Sequence, residues 1–451
     1  MLQKRLSMLA TLMAITLTPL TVLADADASQ LGKSLTPVGA EKAGNADGSI
    51  PSWEGGLTAA PAGFKPGTHY PNPFPDEKPL FTITGANAEQ YKEKLSPGQL
   101  AMLKKYATYK LPVYPSHRTA SFPKQVYEST LYDATHAKLA PGGNGVQGAD
   151  AGFPFPIPKD GQEAIWNHLL SYRGDTYATN FVQVMPTRDG AYTPVRMEME
   201  YDFSYGNLSK SAKDKEPNKL LNFLQVFTAP ARLAGAILLV HEPIDQVKQS
   251  RSSWSYSPGQ RRVRLAPEVN YDNPAASADG LRTNDDFWMY NGAIDRYNWK
   301  LLGKKEMYIP YNSYAIMDPK LKIADLVRPG HLNQDYTRYE LHRVWVVEAT
   351  LKPEFRNIYT KRVFFLDEDS WAAVAIDKYD ARGELWRVAE QHNLNLYDVP
   401  MRYGAVDTMH DLQSGRYIAM GLRNEEPWFW KPLKRTPADY TPANLRNLGV
   451  R

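Results

Sequence analysis

The chain has 451 residues, with 53 Lys and Arg against 49 Asp and Glu, 9 His and no Cys. At 43% hydrophobic and 23% charged it is globular material, long enough for one large domain or two to three smaller ones. The lack of Cys excludes disulfides, zinc–thiolate sites, iron–sulfur clusters, a thiol nucleophile and a lipoprotein anchor, and the near-neutral charge lacks the concentrated Lys/Arg of nucleic-acid binding.

In chain order, Met1–Ala24 has a basic start (Lys4, Arg5), an apolar run from Leu6 to Leu20, and Val22-Leu23-Ala24 before Asp25. This is the layout of a secretory signal peptide cleaved between Ala24 and Asp25, so residues 1–24 are expected to be removed. Their loss leaves 51 basic against 49 acidic residues. Elsewhere the longest apolar run, Leu233–Val240, is too short to span a bilayer, so the expected mature protein is exported, periplasmic and without a transmembrane segment.

Residues 25–95 read as an extended arm, rich in Gly, Pro and Ala as far as Pro79. Residues 96–451 read as one domain. Ser96–Tyr109 predicts a helix, with Ser96 as N-cap and Pro97 at its first position. A Gly/Pro-rich loop follows over 140–160, then a helix over Gln162–Tyr172. From Phe181 the pattern changes to period two. In Val195–Tyr205, Met197, Met199, Tyr201, Phe203 and Tyr205 alternate with Arg196, Glu198, Glu200 and Asp202, which gives one apolar and one charged strand face. Further pairs are Ser252–Ser257 with Gln260–Leu265, Arg343–Leu351 with Ile358–Leu366, and Trp371–Tyr379 with Glu384–Glu390. Successive hairpins with one apolar face predict an α+β fold built on a large curved antiparallel sheet. The stretch from Asp398 shows no clear alternation and reads as a tail packed on that sheet.

Motifs for catalysis and cofactors fall away on context. Gly143–Gly148 fits GxGxxG but follows no strand and opens no helix, as phosphate binding requires. There is no HExxH and no GxSxG, and His168 in its helix reads as structural. Asp367-Glu368-Asp369, between two strand patterns, reads as a solvated hairpin tip. No cofactor, metal or catalytic residue is expected. The densest constellation spans Trp254 to Tyr314, where arginines stand beside acids and aromatics.

Four separated blocks carry a resemblance: Leu35–Gly48 with Trp53-Glu54-Gly55-Gly56, Phe153–Pro158, Trp166-Asn167-His168, and Trp254–Tyr290. They are similar to domain-of-unknown-function family 1329, secreted proteobacterial proteins that resemble outer-membrane lipoprotein-sorting proteins. The resemblance implies a lipoprotein carrier-like incomplete barrel, with helices on its concave side and the long arm wrapped around it. It implies non-catalytic binding of a lipid or other hydrophobic molecule in envelope traffic, alongside an outer-membrane protein or lipid-type efflux transporter. On that reading Arg282 and Asp285, with Trp254, Tyr256, Phe287 and Trp288, form the cavity mouth, and Met197, Met199, Tyr201 and Phe203 line the cavity. Two other functions remain open: a periplasmic hydrolase or lyase acting on a glycan or ester, and a scaffold that docks an envelope protein.

Overall fold

Period-two alternation in Val195–Phe203 is realised as a strand whose Met197, Met199, Tyr201 and Phe203 are buried while Arg196, Glu198 and Glu200 are only half-buried. The computed structural model describes residues 27–211, 215–269 and 271–449, so the expected signal peptide and its cleavage point at Ala24 and Asp25 lie outside the described residues. The first elements are β1 (Phe81–Thr84), α1 (Pro97–Lys105), β2 (Lys110–Val113), α2 (Lys124–His136), the two-residue ribbon β3 (Lys138–Leu139) and β4 (Val146–Gln147), and α3 (Gly161–Leu169). Ser96 caps α1 as expected: its hydroxyl accepts from Gln99 N, and the Gln99 side chain reaches back to Ser96 N.

Two meanders follow. The first is β5 (Thr176–Val184), β6 (Val195–Phe203), β7 (Lys219–Ala229), β8 (Ile237–Pro243), β9 (Ser252–Ser257) and β10 (Arg262–Leu265). The second is β11 (Tyr297–Pro310), the short helix α4 (Ile323–Leu326), β12 (Tyr339–Leu351), β13 (Lys361–Asp367), β14 (Ala373–Tyr379), β15 (Leu385–Leu396), β16 (Met401–Asp411) and β17 (Arg416–Met420). β18 (Trp430–Pro432) and α5 (Pro442–Gly449) close the chain. Ala419 opposite Val184 and Met420 opposite Gln183 join β17 to β5, fusing both meanders into one open, curved sheet of 16 strands. Among the described residues, the strands of this sheet pair antiparallel except for the contact of Tyr339 with Val113 between β12 and β2. Register builds the concave face: Met197 lies between Phe181 and Phe227, and Tyr201 between Tyr177 and Phe223.

Two expectations are corrected. The stretch from Asp398 is no tail: β16 and β17 are central strands. Buried Met401, Tyr403, Ala405, Val406 and Met409 leave little alternation along β16, because neither of its faces is left to water. Asp367-Glu368-Asp369 is a hairpin tip but not a solvated one, since all three residues are at most 3% exposed. Arg118 donates Nε and Nη2 to the two Asp369 oxygens at 2.9 and 2.7 Å, while Arg343 and Lys304 hold Glu368 at 2.9 Å each. The arm covers the tip. Arg118 also donates to the carbonyls of Glu41 and Pro51, and Trp371 Nε1 to that of Val38. Farther along, Tyr70 donates to Asp398 and accepts from Trp430, which ties the arm to the C-terminal part of the sheet.

Candidate functional site

Helix α3 lies over the concave face because Asp160 fixes its start, accepting from Gln162 N and Glu163 N, and its Ala164, Ile165, Trp166 and Leu169 are buried in the main core. Its end is held by Arg173, whose guanidinium donates to Leu169 O at 3.0 Å and His168 O at 2.7 Å. Beneath it, β5 and β6 supply Tyr177, Phe181 and Tyr201. β15 and β16 supply Gln391, Arg402, Tyr403 and Asp407, and Arg423 follows β17. Together they enclose a chamber of about 50 Å³. Tyr172, Tyr177, Met401 and Tyr403 are shared with a second pocket of about 250 Å³, whose other walls include Leu396, Val399, Trp430, Pro432 and Leu433. The site is therefore a small polar chamber opening beside a larger, more apolar pocket.

The chamber is rich in positive charge. Burial, reinforced by Arg402, pushes the Arg173 pKa down to about 9. Burial takes Arg402 down to about 10. Arg423 donates to Thr179 Oγ1, Ala405 O, Gly421 O and the Tyr403 hydroxyl, all uncharged acceptors. Asp407 accepts from Gln391 Nε2 at 2.6 Å; burial raises its pKa, and Gln391, Arg402, Arg423 and Arg282 act against that rise. His168 is structural, as its sequence context suggests. Its Nε2 is 3.2 Å from both Trp288 O and Tyr290 O, its Nδ1 accepts from Ala373 N, and burial takes its pKa down to about 3.

The residues singled out from sequence fall into four places. Tyr201, Phe287 and Trp288 line the chamber. Trp288 lies 5.3 Å from the Tyr201 ring, 5.8 Å from the Phe203 ring and 4.8 Å from the Arg173 guanidinium, while Met197 and Met199 pack in the same core. Arg282 lines a neighbouring cavity of about 70 Å³ that shares Phe287 and Trp288 as its wall. Asp285 is buried and bonded to Arg362 at 2.7 Å, beside the Asp286–Lys378 pair at 2.6 Å. Trp254 and Tyr256 pack elsewhere, in the cluster with Leu445 of α5. The sequence reading did not find Arg173, Arg402 and Arg423. The available signal was a charged residue inside an apolar run, Met401-Arg402-Tyr403, which is legible only if that run is a strand.

A second polar group, His342, Asp367 and Asp369, brings ligand-type atoms within 4.8 Å of one another. Both Asp369 oxygens are taken by Arg118, so this group anchors the arm.

The fold and site define an open, curved antiparallel sheet with a helix over its hollow and a cation-lined chamber inside. Among the described residues no helix is long and apolar enough to cross a membrane. The chain belongs to the family described as protein of unknown function DUF1329, whose profile matches residues 82–446. It is 54% identical over 427 residues to an uncharacterized protein of Pseudomonas aeruginosa, covering 94% of each chain. Among solved structures it is similar to a DUF1329 family protein from Desulfovibrio piger (14% identity, 60% of this chain and 91% of that one, TM-score 0.40). It is also similar to a LolA superfamily protein from Nitrosomonas europaea (14% identity, 63% and 98%, TM-score 0.38).

Proposed function

We propose that the protein binds and carries a lipid or other hydrophobic molecule in the cell envelope, without catalysing a reaction on it. The observation that carries this reading is the polar chamber sharing a wall with a larger, more apolar pocket, which suits a molecule with one polar end and an apolar body. The energetics allow it. Burying a sixteen-carbon chain gives about 12 kcal/mol gross at ~0.8 kcal/mol per methylene, and micromolar binding requires about 8 kcal/mol. A partly buried chain therefore binds reversibly, as a carrier requires, once lost motion is counted. A hydrolase reading is less well supported, because both ring nitrogens of His168 are committed to backbone groups and the ring is not free to serve Ser171 or Ser370 as a base. The signal peptide read from Met1–Ala24 supports envelope localisation.

Native mass spectrometry of the exported protein, with organic extraction of anything bound, tests the proposal. A stoichiometric hydrophobic molecule is the expected result. An empty protein that also fails to take up a fluorescent fatty acid overturns it.

A further inference from the structure

Arginines whose side chains enter the interior of this fold come in two kinds. Arg118, Arg251, Arg338, Arg343, Arg362 and Arg387 each have a carboxylate within 4 Å: Asp369, Glu242, Glu340, Glu368, Asp285 and Asp411. For the three that line the chamber, Arg173, Arg402 and Arg423, and for Arg282 in the neighbouring cavity, the described residues supply no carboxylate within 4 Å. Arg173 and Arg423 spend their hydrogens on carbonyls and hydroxyls, which satisfy the donors but leave the charge. Arg402 lacks even that: its Nε and Nη2 are sealed from solvent with no hydrogen-bond partner. The one carboxylate in the lining, Asp407, has an oxygen taken by Gln391, and buried Asp367 acts on Arg402 from outside the lining, beyond ion-pair distance, so three cations face two acids.

A cation held away from water without a partner is unfavourable, and folds keep one where something else completes it. We propose that the carried molecule is a single-chain amphiphile with an oxyanion head, a carboxylate or a phosphate, that Arg402 binds in the field of Arg173 and Arg423. This rests on the binding function proposed above and specifies its ligand. Planar guanidinium groups match both head groups, which accept two parallel hydrogen bonds. Size agrees. The chamber, about 50 Å³ against about 250 Å³ for the neighbouring pocket, is the smaller of the two spaces and suits the head rather than the tail. Tyr172, Tyr177, Met401 and Tyr403 form the wall between the chamber and the pocket at Leu396, Val399 and Leu433, so the tail occupies that pocket when these side chains part. Closing the chamber around the head also explains the aromatic rims: Trp288 and Tyr403 cover the arginines with low-polarity surface, which strengthens their grip on an anion.

The test is isothermal titration of the purified, delipidated chain with hexadecanoate, hexadecyl phosphate, hexadecanol and inorganic phosphate. Both amphiphilic anions are expected to bind about ten- to hundredfold more tightly than the alcohol, the range of a charge-assisted contact. Arg402→Gln is expected to erase that difference and raise the melting temperature of the empty protein, with Arg402→Lys in between. Equal affinity for anion and alcohol overturns the head-group assignment and leaves the binding function standing. Failure of all three long-chain probes overturns both. Inorganic phosphate binding as tightly as hexadecyl phosphate refutes an amphiphile. An Arg402→Gln protein that melts lower, or loses the alcohol as well, makes Arg402 structural and refutes its role in binding.

Discussion

Replacing Arg118 by Ala removes the tie between arm and sheet. Arg118 is 6% exposed; it makes a two-pronged bond to Asp369 and donates to the carbonyls of Glu41 and Pro51. Breaking a buried pair by deleting one partner costs about 3–5 kcal/mol, because the other charge stays buried alone. The loss is taken as about 4 kcal/mol. With an unfolding entropy of about 2.1 cal/mol/K per residue, a chain of this size loses roughly 0.9 kcal/mol per kelvin near its midpoint, so the variant melts about 4–5 °C lower. The second readout is local. Residues 41–51 lose their clamp and are expected to be cut by a protease well before the sheet. Neutralising the orphan by Asp369→Asn in the Arg118→Ala background is expected to recover about half or more of the loss, a coupling measurable by a double-mutant cycle. Calorimetry and timed proteolysis check all three variants. If Arg118→Ala melts within a degree of the parent and the arm is cut no faster, the ion-pair anchor does not hold the arm and the reasoning fails.

Two further outcomes follow from the core. Asp377, fully buried, accepts from Gly98 N and Ser96 Oγ, and burial pushes its pKa up to about 7 from 3.8. Between about pH 4 and 7 the folded state thus holds a proton that the unfolded chain has lost, so its contribution to stability falls as pH rises. At ~1.36 kcal/mol per pKa unit the fall is at most about 4 kcal/mol; urea midpoints should drop more steeply over that range in the parent than in Asp377→Asn, and parallel profiles would exclude the assignment. Trp288, at φ +52° between the chamber and the neighbouring 70 Å³ cavity, blocks their union. Trp288→Ala is expected to lower stability by about 3–5 kcal/mol yet speed uptake of a fluorescent fatty acid in stopped flow; unchanged uptake would mean that the ring does not restrict the site.

Strands with one wet face were legible in the chain. Val195–Phe203 and Ser252–Ser257 lie where alternation and turn residues placed them, because half-burial writes a period of two into the chain. The start of α1 was as readable, since a cap is a local event between Ser96 and Gln99. The family was legible too, from separated blocks in order. What alternation could not reveal was β16, buried on both faces, or that Asp398 onward crosses the middle of the sheet. Nor could the sequence distinguish Asp369, which looks solvent-seeking, from a buried anchor whose partner Arg118 is 251 residues away in the chain. The site shows the same division. Tyr201 and Trp288 belong to patterns visible in the sequence, but the Arg173–Arg402–Arg423 cluster draws on a helix end, a central strand and the segment after β17. Only the pairing of β17 with β5 closes that distance. A charge in a sequence is one of many; it becomes a site when the fold removes both its water and its counterion, and that is decided by the tertiary structure.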